Sequence, residues 1–197
     1  SAAGPLRDTV LATGTPHLVS FNRRFSPALA RARAWLEGRS APALALSRQL
    51  RQARREDLFV FGTAIHAVDT VVSVLGQPVR VSATRHPMGP PQTAAYAARV
   101  DFAGGAAAQF GIAPASGAVE ETLELLGDDY AVQVDLWNCA VRIWHDGRQV
   151  LDWRAAADAP PWEANGTLDE MRAFVRALET GSGWWPDLRE ATWSSRA

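Results

Sequence analysis

One histidine stands out for chemistry: His66, in Gly62-Thr63-Ala64-Ile65-His66-Ala67-Val68-Asp69, at the head of a strongly apolar helical pattern. Imidazole exchanges a proton near neutral pH, so a histidine here could bind or polarise a hydroxyl. It could equally pack and hydrogen-bond at a helix start, and the local pattern leaves both readings open. Asp69, three residues on, is expected to be structural, bonding to nearby backbone or to an arginine. The two together lack a third ligand at plausible spacing, so no metal site is expected. A second cluster is Asn22-Arg23-Arg24. A guanidinium there could grip a carboxylate or phosphate, or simply fix a joint between elements. Arg48, Arg51, Arg54 and Arg55 could form an anion or nucleic-acid patch, but Glu56 and Asp57 adjoin them and favour a solvated loop. Trp184-Trp185 beside Pro186 offers a stacking surface for a sugar, or ordinary packing.

Composition narrows the field. The 197 residues fit one core, and the apolar (47%) and charged (21%) fractions are those of a globular domain. Net charge is −1, so no overall field draws the chain to nucleic acid or to a membrane surface. No apolar run approaches the roughly 20 residues needed to span a bilayer. The residues at the start, 1–5, lack the basic and apolar regions of a signal peptide. Cys139 is the only cysteine, which excludes an internal disulfide and suits a reducing, cytoplasmic setting. All 20 basic residues are arginine, so no Schiff base or lysine general base can be completed within the chain.

The elements that must position these groups follow from spacing. Residues 7–12 are helix-compatible and end at Gly14; residues 17–21 read as a strand. Ser26-Pro27 opens a helix closed by Gly38, residues 42–50 read as a strand, and 63–75 is the clearest helix, ended by Gly76 and Pro78. From 78 to 153 the period changes to two. Turn residues at 104–105, 127–129 and 146–147 join strands that must run antiparallel, with Trp137, Trp144 and Trp153 expected on them. Thr167, with Glu170 three residues on, predicts a capped helix over 168–178, and a last helix spans 187–195. Helix, long meander, then helix is an α+β layout: an open, predominantly antiparallel sheet with helices on one face. A sheet carrying several tryptophans needs a cover, either helices or another subunit.

Three of these segments, in this order, resemble a known family. Val19-Ser20-Phe21-Asn22-Arg23-Arg24-Phe25-Ser26-Pro27 resembles the strand-to-helix joint after the nucleotide-binding domain of the Gfo/Idh/MocA oxidoreductases. Residues 62–69, running on to Leu75-Gly76-Gln77-Pro78-Val79, look like the active-site helix of that family, and 167–181 with 186–197 like its closing helices. The likeness covers nearly the whole chain from about Leu6.

The resemblance implies residues 1–22 as the end of a nucleotide-binding domain and 23–197 as a C-terminal domain for substrate binding and oligomerisation, dihydrodipicolinate-reductase-like in fold. It implies NAD or NADP on an N-terminal Rossmann domain, whose glycine-rich fingerprint this sequence lacks; Gly104-Gly105 opens no helix. It implies a sugar or cyclitol substrate, and a homo-oligomer formed through the sheet face. His66 would bind or polarise the reacting hydroxyl, and Asn22 and Arg24 would line the crevice. The chain alone is expected to be inert, with no cofactor of its own. One departure matters: where the family carries an aspartate four residues before its histidine, this chain has Gly62, and the family's catalytic lysine is absent too. A non-catalytic binding or scaffold protein is therefore the alternative. A third reading, an independent enzyme pairing His66 with Asp57, is the least supported.

Overall fold

The computed structural model describes residues 3–54, 59–89 and 93–195. Arg55, Glu56 and Asp57, and with them the His66–Asp57 pairing, lie outside the described residues. Helix α1 (Ala3–Thr13) precedes an extended segment and a 3-10 turn at Asn22–Phe25, which leads into α2 (Pro27–Leu36). Strand β1 (Leu44–Leu50), a π-type turn at Val60–Ala64 and helix α3 (Ile65–Leu75) follow. Then come β2 (Pro78–Pro87), β3 (Ala94–Phe102), β4 (Ala107–Ala113), β5 (Glu120–Gly127), β6 (Tyr130–Asp135), β7 (Ala140–His145) and β8 (Arg148–Arg154). Helices α4 (Pro161–Ala164), α5 (Thr167–Thr180) and α6 (Leu188–Ser194) close the order.

The eight strands form one open sheet in the order β2-β3-β4-β1-β5-β6-β7-β8, antiparallel except where β1 runs parallel to β4. The α+β expectation holds, with one addition: β1 splits the meander, so β4 and β5 are not neighbours. Because side chains alternate between faces, one row across the sheet reads Arg99, Gln109, Leu46, Glu124, Gln133, Arg142. That row lies on the open face. The opposite face places Leu123 and Leu125 of β5, Val132 and Val134 of β6, and Val141 and Ile143 of β7 against Leu29 and Ala32 of α2 and Val71 and Val72 of α3. These side chains are almost wholly removed from water, each contributing roughly 1.5–3 kcal/mol if large.

Three local expectations need correction. Residues 17–21 form no strand: Val19 N–H donates to Pro186 O (2.8 Å), an isolated bond rather than a ladder. Thr167 is not the cap of α5. Gly166 occupies that position at φ +88°, the Thr167 N–H donates to Asn165 Oδ1 (2.9 Å), and the Glu170 carboxylate accepts from Ser20 Oγ (3.1 Å) instead of closing a capping box. Trp137 sits in the turn between β6 and β7, half exposed, not on a strand.

Gly166 is required twice over. Its φ lies in the left-handed region, and an added Cβ would stand 2.2 Å from Asn22 O and 2.5 Å from Ser26 N. Gly181, the C-cap of the same helix (φ +67°), has open space around it. Urea unfolding is expected to show Gly166→Ala destabilised by ~3 kcal/mol, from strain plus overlap, and Gly181→Ala by only ~1 kcal/mol.

Candidate functional site

Helix α3 starts from a π-type turn, a feature that often re-aims side chains at functional sites. His66 lies in the first turn of α3, half buried, with its ring edge-on to Phe21 (centroids 6.2 Å apart). The segment around Asn22 and the histidine helix are thus adjacent. His66 Nδ1 is buried and has no hydrogen-bond partner among the described residues. Burial, and then the positive charge of Arg23, pushes the imidazole below its ordinary value of 6.5. At neutral pH the ring is a neutral acceptor and donor, not a cation.

Beside it lies a three-residue ion cluster. Glu121 on β5 is almost fully buried and accepts from Arg23 at both oxygens (Nε to Oε1 2.7 Å, Nη2 to Oε2 3.0 Å) and from Arg51 Nη2. Burial works against the Glu121 carboxylate, but the bonds from Arg23 and Arg51 outweigh it and hold its pKa below the usual range. Arg51 Nη1 is spent on the carbonyls of Leu50 and Glu120, each at 3.0 Å. Gln49, also buried, donates to Thr63 O (3.2 Å) at the π-type turn, while its Oε1 has no partner. Two polar atoms, Gln49 Oε1 and His66 Nδ1, are therefore buried and unmatched near one charged cluster. Buried polar groups are ordinarily hydrogen-bonded, so two exceptions side by side mark this place as a candidate site.

The sequence-predicted residues fare differently. Arg24 is corrected most sharply: its side chain is wholly buried, paired with both oxygens of Asp69 (2.8 Å each) and with Glu190 (2.8 Å), so it lines no crevice. A guanidinium sealed in the core by three ion-pair bonds is out of reach of a ligand. Asn22 is half buried and its amide donates to Asn165 O (3.1 Å) and Thr167 Oγ1 (3.3 Å), which fixes the start of α5. Asp69 has the structural role expected of it, accepting also from Ser194 Oγ (2.7 Å). Trp185 packs on Phe25 and over Arg24, and Trp184 on Phe174. Of the arginine run, Arg48 is exposed but lies on β1, paired with Glu120 (3.2 Å), and Arg51 is buried in the cluster.

Sequence reasoning missed Glu121, Arg51 and Gln49. The signal was present in the alternation. Glu121 shares strand parity with inward-facing Leu123 and Leu125, and Gln49 with Ala45 and Ser47. A charge at a buried parity position demands a partner. Among the described residues, no group of three or more His, Cys, Asp or Glu is placed to hold a metal, and no helix is long and apolar enough to cross a membrane.

Neither a protein-family model nor a curated protein matches the chain. Solved structures do. UDP-N-acetylglucosamine 3-dehydrogenase from Acidithiobacillus ferrooxidans superposes with a TM-score of 0.82 at 19% identity, covering 98% of this chain and 63% of that one. A dehydrogenase from Chromobacterium violaceum gives 0.83 at 16%, covering 98% and 62%. Levoglucosan dehydrogenase in complex with NADH gives 0.82 at 16%, covering 98% and 64%. These neighbours are dehydrogenases of the Gfo/Idh/MocA type, and the fold here is that of their C-terminal domain. The chain spans less than two thirds of their length.

Because the folded state prefers neutral His66, its contribution to stability is complete above pH 6.5 and is lost as pH falls through the depressed value. Thermal or urea titrations should show that slope, and His66→Asn should flatten it. A side chain at Gly62 would meet nothing within 4 Å. Gly62→Asp should therefore fold, place a carboxylate one turn from His66, and raise the imidazole pKa as read by NMR.

Proposed function

We propose that this chain is the substrate-facing and oligomerising domain of an NAD(P)-dependent oxidoreductase acting on a sugar, a cyclitol or a related hydroxy compound. The observation that carries the reading is His66, neutral and unmatched at Nδ1, beside the Arg23–Glu121–Arg51 cluster at the joint where the dehydrogenase fold would meet a nucleotide-binding domain. Residues 1–22 would be the end of that domain, and 23–197 the domain that positions substrate.

The described residues do not fit a dinucleotide. The one β-α-β crossover among them, β1-α3-β2, joins strands that are not neighbours, and no glycine-rich turn there leads from a strand into a helix N-terminus. A nicotinamide held by other residues would supply the hydride acceptor. What this chain supplies is a proton acceptor: neutral His66 takes the proton of a substrate hydroxyl. The Arg23–Glu121–Arg51 cluster holds the crevice wall in one geometry, since each guanidinium is fixed at two or more atoms. The sheet's open face supports the oligomer. Its central Leu44, Leu46 and Leu126 are flanked by opposite charges such as Arg142 and Asp152, a pattern suited to a second copy. Gly62 favours the second reading, a non-catalytic binding or scaffold protein that keeps the sheet for association.

The full-length protein carrying this domain is expected to reduce NAD or NADP with at least one member of a sugar and cyclitol panel. His66→Asn should lower kcat by about 10²–10³ with a smaller change in KM. Sugar binding without turnover would support the scaffold reading instead. The chain by itself should give no calorimetric signal with NADH.

A further inference from the structure

Beyond the histidine cluster, on the other side of Arg23, lies a second concavity of about 500 Å³ between the β6–β7 turn, the end of β8 and the corner of α4 and α5. Its size is that of small-ligand pockets, roughly 300–1,000 Å³. The polar residues lining it are Arg23, Asn138, Arg154 and Asn165, and no carboxylate is among them. In a chain with 21 acidic and 20 basic residues that is a local imbalance. The concavity on the open sheet face makes the contrast: there Arg48, Arg142 and Arg154 stand with Glu124, Asp135 and Asp152. Arg23 shares the single carboxylate of Glu121 with Arg51, so that trio keeps one uncompensated positive charge, and with Arg154 beside it the concavity favours an anion.

The groups are also held in place. Arg23 is anchored through Nε and Nη2 to Glu121, and its Nη1 makes no hydrogen bond among the described residues. Arg154, the last residue of β8, borders both concavities; its side chain is exposed and makes no ion pair or hydrogen bond among the described residues. Asn165 is pinned on both sides: its Oδ1 accepts from Thr167 N–H and its carbonyl from Asn22 Nδ2, which leaves Nδ2 to donate. Asn138 is held by Asp135 through its backbone N–H (2.9 Å) and Nδ2 (2.8 Å), which leaves Oδ1 to accept. Trp137 completes the wall. Its ring is 50% exposed, with the Arg51 guanidinium 5.2 Å from its centroid. An exposed indole on a turn held by the buried Leu136 is a ready platform for the apolar face of a sugar ring.

We propose that this concavity binds an acidic sugar, a pyranose-sized ring carrying a carboxylate or a phosphate, with the ring on Trp137 and the anion between Arg23 and Arg154. The inference deepens the oxidoreductase reading by naming a charged substrate class, and rests on it only in taking the ligand to be a sugar.

Calorimetry on this chain with D-glucuronate, D-glucose 6-phosphate, D-glucose and inorganic phosphate tests it without cofactor or turnover. One of the two acidic sugars should bind roughly tenfold or more tighter than both glucose and inorganic phosphate, and which one does so tells carboxylate from phosphate. Arg154→Gln and Trp137→Ala, both at exposed side chains, should each weaken that binding by about tenfold, with unchanged unfolding midpoints. Glucose or inorganic phosphate binding as tightly as the acidic sugars would overturn the proposal, as would unaltered affinity in both variants, or no binding at millimolar concentrations. Loss of dehydrogenase turnover in the full-length protein with acidic-sugar binding intact would sink only the oxidoreductase reading.

Discussion

The bidentate pair between Arg24 and Asp69 is the constraint on which the site depends. Both side chains are essentially sealed from water, and an unpaired charge in that position would cost several kcal/mol. Glu190 and Ser194 complete the shell, so the pair binds together the 3-10 turn, α3 and α6, three segments far apart in the chain. Trp185 lies over the same guanidinium, 5.0 Å from it. Arg33 shows what crowding a second guanidinium into this region costs: burial, then the charge of Arg24, pushes its pKa down to about 10. Asp69 lies three residues after His66 and Arg24 one residue after Arg23. The clamp therefore also fixes the two candidate site residues beside it.

Adjacent arginines thus take opposite duties. In a 3-10 turn successive side chains point about a third of a turn apart, so when Arg24 turns inward to Asp69, Arg23 emerges toward Glu121. The sequence showed the joint and its arginines but not this division, because which neighbour faces inward depends on partners 45 and 98 residues away. The same limit applies to β1. Its alternation reads as a strand, but whether a strand sits at an edge or between β4 and β5 is decided by long-range pairing that local pattern does not encode. Where the determinants are local, the reading held: Gly76 (φ +86°) ends α3, and the turns at 104–105 and 146–147 join antiparallel strands. Where two local solutions compete, it did not. Thr167 and Glu170 have the spacing of a capping box, but Asn165 and Ser20 offer the same atoms better-placed partners.

Glu121 could have been found by strand parity, and its role follows from its company. A buried carboxylate held by two guanidiniums has its charge already compensated, which makes it a poor proton acceptor. That leaves His66 as the group near the cluster able to take a proton near neutral pH. Burial and then Arg23 disfavour the imidazolium, and Glu121 and Asp69, which favour it, do not make up the difference. Counting Arg23, Arg51, Glu121 and a neutral His66, the cluster carries one net positive charge. That charge is fixed in place, because both guanidiniums are held by the same buried carboxylate.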